Sequence, residues 1–63
     1  MKATLTIQMD NAAFGDFPEY ELQRIFEKLA RVMRDSGGFP DGFVYPVMDF
    51  NGLKVGSLTI EED

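Results

Sequence analysis

Residues 16–36, DFPEYELQRIFEKLARVMRDS, decide the fold, because they carry the one long helical signal in the chain. Leu22, Ile25, Phe26, Leu29, Val32 and Met33 recur at intervals of three and four. At about 100° per residue they fall on one side of a cylinder, with Ala30 on the flank. Arg24, Glu27, Lys28, Arg31 and Asp35 fall on the other side. Everything else is too short or too strand-like to cover that stripe except as a sheet.

The ends of the helix carry their own signals. Asp16 is placed to cap the first turn, and Glu19 completes the capping-box spacing. Pro18 sits in the first turn, where its missing N–H costs nothing. Gly37 and Gly38 stop the helix, since glycine takes the left-handed turn without strain. Glu27 and Arg31 form a favourable pair at four residues. Glu19 and Glu21 suit the positive end of the dipole, Arg31 and Arg34 the negative end.

Working outward, residues 2–9 alternate. Ala3, Leu5, Ile7 and Met9 point one way, Thr4, Thr6 and Gln8 the other, which predicts a half-buried strand. Residues 10–15 read as a loop, where Asp10 and Asn11 suit local side-chain-to-backbone bonds and Phe14 folds back onto the core. Residues 37–42, GGFPDG, are an adaptable connector.

Residues 43–50 and 53–60 flank Asn51-Gly52, the strongest short hairpin signal. A two-residue turn would pair Phe50 with Leu53, Asp49 with Lys54 and Met48 with Val55. The opposite charges of Asp49 and Lys54 support that register. Leu53 and Val55 share one parity, Leu58 and Ile60 the other, so a bulge is expected at Gly56. A similar phase change is read between Met48 and Tyr45. Pro46 cannot donate to a ladder and makes its strand an edge. The chain therefore reads as one α+β domain, residues 1–63, of β-α-β-β form. One helix packs on a three-stranded antiparallel sheet of order 2-3-1. The face away from the helix would carry Thr4, Thr6 and Gln8 with part of Phe43, Tyr45 and Val47.

Composition narrows the chemistry. A chain of 63 residues buries only about 60% of its unfolded surface, so self-association is an expected source of stability. There is no Cys, hence no disulfide and no thiol nucleophile, and no His, the commonest general base and zinc ligand. The net charge of −5, from 11 acidic and 6 basic residues, argues against sequence-independent nucleic-acid binding. It suits a basic protein surface as partner. No stretch is long enough to span a membrane, and the N-terminus lacks the apolar run of a signal peptide, so a cytoplasmic protein is expected.

The fold would gather Asp10, Asp16, Glu19 and Asp49 at one pole and Asp35, Asp41, Glu61, Glu62 and Asp63 at the other. Asp10, Asp16 and Asp49 are the sole candidate trio for acid–base or metal chemistry. Their spacing matches no calcium loop, and cap and ion-pair roles account for Asp16 and Asp49. No phosphate loop is present, because the glycines at 37, 38 and 42 follow a helix rather than open one. Arg24, Lys28 and Arg31 form a basic stripe that reads as a solvated helix back or as a phosphate contact. No catalytic residue, cofactor or metal ligand is assigned.

The loop Asp10-Asn11-Ala12-Ala13-Phe14, the helix positions Leu22, Ile25, Leu29 and Ala30, and the hairpin Asp49-Phe50-Asn51-Gly52-Leu53-Lys54-Val55-Gly56 resemble a group of very short phage and prophage proteins. The likeness covers nearly the whole chain, departing in residues 37–42 and 43–46. The shared motifs are structural, and the group has no general function to carry over. A mobile-element origin implies proteins that disarm host defence, anti-CRISPR and anti-restriction proteins among them.

The expectation is thus a small acidic binding protein, a stoichiometric inhibitor of a host nucleic-acid-handling complex. Its phosphate-mimicking residues would be Asp35, Asp41, Glu61, Glu62 and Asp63, with Phe39 or Tyr45 as apolar anchor. The alternative is a structural or regulatory homodimer, joined through the uncovered sheet face or an edge strand.

Overall fold

Alternation before the helix and a turn after it produce the expected layers. The computed structural model describes residues 1–62. Its elements are β1 (Lys2–Ile7), a 3₁₀ turn (Ala12–Phe14), α1 (Pro18–Ser36), β2 (Phe43–Met48) and β3 (Lys54–Glu61). The strands form one antiparallel sheet of order β1-β3-β2, which is the 2-3-1 arrangement read from the sequence. β1 and β2 are its two edges, and Pro46 lies on the β2 edge as its missing N–H requires. Each strand is one or two residues away from the expected bounds.

The core is small. Phe14, Ile25, Leu29, Val47, Val55, Leu58 and Ile60 are buried, with Ile7, Ala13, Leu22, Phe39, Phe43 and Tyr45 packed at their edge. β2 alternates without interruption: Phe43, Tyr45 and Val47 turn inward while Val44, Pro46 and Met48 are exposed. The phase change expected between Met48 and Tyr45 does not occur, so those three inward residues belong to the covered face.

The bulge falls one residue before the expected place. Val47 pairs with Gly56 and Met48 with Lys54, leaving Val55 as the extra residue. Gly56 has a different task. A Cβ there would stand 1.8 Å from the Thr6 carbonyl oxygen, so only glycine lets β1 approach. The two-residue turn is also replaced. Asp49 N–H donates to Leu53 O at 2.8 Å and Gly52 N–H to Asp49 O at 3.0 Å, closing a wider loop over residues 49–53. Lys54 therefore opposes Met48, and the Asp49–Lys54 pair does not form.

Two readings of the helix are corrected. Asp16 is not its cap: Phe17 holds the N-cap position without a side-chain bond, and Pro18 opens the helix. The physical reason is Pro18 itself, which pushes the preceding residue out of helical conformation. At the other end Gly37 stops the helix as expected, at φ 71°. The buried face is also turned from the apolar stripe. Glu21, Ile25 and Leu29 are buried, Leu22 and Val32 are half-buried, and Phe26 and Met33 are exposed. At 100° per residue the rotation is roughly 40°, toward the hairpin. Glu27 accepts the Gln23 amide at 3.2 Å in place of the expected Arg31.

Candidate binding surfaces

The rotation of α1 has an electrostatic cause. Glu21 is 6% exposed and accepts three donors. Arg24 Nε reaches its Oε1 at 2.8 Å, Arg24 Nη2 its Oε2 at 3.1 Å, and the Phe50 N–H its Oε2 at 2.9 Å. Arg24 Nη2 also donates to the Met48 carbonyl at 2.9 Å. Arg24 is thus a strut between helix and hairpin rather than part of a free basic stripe. Its guanidinium holds the Glu21 carboxyl below the ordinary carboxylate range, and the Phe50 N–H adds to this against the cost of burial. Glu21 in turn holds the Arg24 proton more firmly.

Asp49 anchors the neighbouring loop. Its Oδ1 accepts the N–H groups of Asn51 and Leu53, each at 2.9 Å, and its Oδ2 accepts Asn11 Nδ2 at 2.7 Å. Asn11 Oδ1 takes the Ala13 N–H at 3.0 Å, which caps the 3₁₀ turn and sets Phe14 into the core. The Leu53 N–H is the largest cause of a lowered Asp49 pKa, with Asn11 and Asn51 adding to it. Both carboxylates are ionised at neutral pH and spent on structural donors. They clamp the fold. Among the described residues no group of three or more acidic side chains could hold a metal ion.

The surface acids lie at the opposite end. Asp41 Oδ1 accepts the Glu62 N–H at 3.1 Å, which ties the connector to the end of β3 and brings Asp41, Glu61 and Glu62 together. Asp35, on the last turn of α1, pairs with Arg34 at 3.2 Å, both well exposed. Phe39 and Tyr45 are both half-buried. Phe39 packs on Phe43 with centroids 5.0 Å apart, and Tyr45 is half-buried in the middle of β2. Asp63 lies outside the described residues. Asp10, Asp16 and Glu19 are exposed at the first pole, whereas Asp49 is buried.

Two further features were not anticipated. A hollow of about 380 Å³ runs between α1 and β2, with Arg24, Lys28 and Arg31 on its rim and Tyr45 and Val47 among its walls. At the hairpin end, Phe17 and Tyr20 stack with centroids 5.5 Å apart and, with Phe50, remain more than half exposed. The clean alternation in β2 could have placed Tyr45 inward, and the step of three from Phe17 to Tyr20 could have signalled the ring pair. No helix among the described residues is long and apolar enough to cross a membrane. No family model, no curated protein and no solved structure matches the chain.

Proposed function

We propose that this chain is a stoichiometric binding protein whose acidic end occupies the basic surface of a nucleic-acid-handling complex. The observation that supports the reading most is the bond from the Glu62 N–H to Asp41, which fixes a loop acid beside two strand-end acids. Asp41, Glu61 and Glu62 are all exposed, so their charges are open to a partner. Exposed carboxylates held close together can stand in for the phosphates of a nucleic acid. The net charge of −5 adds long-range attraction to a basic partner. The likeness of the loop and hairpin to short phage proteins favours a host defence complex, of anti-CRISPR or anti-restriction type, as the target.

The test is capture of partners from a bacterial lysate, followed by titration of the captured protein. Binding should be competed by duplex DNA and weaken steeply with salt. Reversal of Asp41, Glu61 and Glu62 to Lys should abolish it. Binding that survives both salt and charge reversal overturns the reading.

A further inference from the structure

We propose that two copies of this chain pair through the free edge of β1, antiparallel about Leu5, and close the exposed flank of α1 between them. The sheet has two edges of different character. β2 is guarded: Pro46 interrupts its donors and Arg24 covers the Met48 carbonyl. β1 carries no proline, and its one charge, Lys2, stands at the end and leaves Ala3 to Ile7 unguarded.

The open edge is self-complementary. Gln8 N–H donates to Val55 O at 2.7 Å, so even-numbered residues of this strand turn their backbone groups toward β3. Ala3, Leu5 and Ile7 then turn theirs outward. The same three side chains share the face of their β3 partners Ile60, Leu58 and Gly56, which is the face under the helix. A twofold axis at Leu5 sets Leu5 opposite its copy and Ala3 opposite Ile7. That register satisfies the outward donors and acceptors while keeping apolar side chains on one side. Lys2 meets Gln8, so no like charges oppose each other along the strands.

The second layer leaves a matching gap. Because α1 is rotated toward β2, Leu5 is 38% exposed, Phe26 51% and Met33 38%. Leu22, Phe26 and Ala30 line an open hollow on that side of the helix. In the pair, β3 and its copy stand three strand spacings apart, about 14 Å. Phe26 lies on the flank of α1 away from the hollow against β2, so it faces the gap above β1 and its copy. An ordinary interface takes about 800 Å² per partner. That is under a fifth of the 4433 Å² surface of one copy, an area that one long side of the molecule can provide.

The test combines mass with hydrogen exchange on the whole chain. Sedimentation should show a species of twice 7.1 kDa whose population rises with concentration. In that species the amides of Ala3, Leu5 and Ile7 should exchange at least about tenfold more slowly than in dilute protein, with Thr4 and Thr6 slow in both. Leu5→Lys places two like charges across the axis and should give a monomer that keeps slow Thr4 and Thr6 amides. If that variant unfolds, the dilution series on the unaltered chain still decides. A monomer at every concentration overturns the proposal. So does a doubled mass that leaves the three odd-numbered amides open, or an edge occupied only by a strand from a different protein.

Discussion

Glu21 Oε2 accepts the backbone N–H of Phe50 at 2.9 Å, joining the first turn of α1 to a hairpin loop 29 residues away. This bond, with Arg24 spanning Glu21 and the Met48 carbonyl, fixes which face of the helix meets the sheet. Breaking it removes three bonds to one ionised carboxylate, while Arg24 and the Phe50 N–H can turn to solvent. Glu21→Ala is expected to destabilise the chain by about 1.5–3 kcal/mol, a large share of the stability of so small a core. Urea unfolding measures this. In a double-mutant cycle with Arg24→Ala the two losses should not add, with a coupling of at least about 0.5 kcal/mol. Additive losses would mean that the pair does not act as a unit.

The same clamp sets the acid sensitivity. Glu21 and Asp49 both have folded-state pKa values below their ordinary ones. A depressed carboxylate contributes stability that is fully present above the unfolded pKa and is lost as pH falls through the folded value. The urea midpoint should therefore be level near neutrality and drop from about pH 4 downward. Glu21→Gln and Asp49→Asn should each lower the plateau and flatten the acid limb. A wild-type midpoint that stays constant through that range would contradict the assignment.

These carboxylates mark the limit of what local pattern reveals. Strand order was legible, because Pro46 names an edge and Asn51-Gly52 names a hairpin. The inward turn of Phe14 was legible too, since it is the lone aromatic in its loop. The direction faced by α1 was not, because helical periodicity weighs apolar side chains and counts Glu21 as solvent-facing. Its partner is a backbone N–H in a loop whose shape depends on Asp49. Asp49 misled in the same way. A charge opposite Lys54 looks like a cross-strand pair until three donors in the loop and in residue 11 are seen to claim it. At the acidic end the grouping of Asp41 with Glu61 and Glu62 follows from topology, while the packing of Phe39 on Phe43 depends on a contact that local pattern does not carry.

Glycines near the hairpin should differ sharply in tolerance. Gly52 has φ +85° with open space around it, so Gly52→Ala is strained by about 1–2 kcal/mol but sterically free. Gly56 has ordinary φ, yet an added methyl would lie 1.8 Å from Thr6 O and 3.0 Å from Ile7 Cα. Both contacts are backbone, so neither can yield without separating β1 from β3. Gly56→Ala should therefore leave no cooperative unfolding transition, while Gly52→Ala shifts the transition and keeps it. Comparable stability of the two variants would show that the β1–β3 approach is looser than the structure has it.

The acidic end should be separable from the fold. Asp41, Glu61 and Glu62 are exposed, and among the described residues the side-chain bond that ties them to the fold runs from the Glu62 N–H to Asp41. Asp41→Asn keeps an acceptor there and removes only charge, so its urea midpoint should stay within about 0.5 kcal/mol of the wild type. Reversal of all three to Lys moves the net charge from −5 to about +1 by adding two units at each position. Affinity for a basic protein should then fall by orders of magnitude, mainly through the association rate, while circular dichroism stays unchanged. Asp41→Asn should lie between the two, with a weaker salt dependence than wild type. If the charge-reversed chain binds its partner at the original rate, recognition runs through another surface, and the exposed rings of Phe17, Tyr20 and Phe50 are the next to remove.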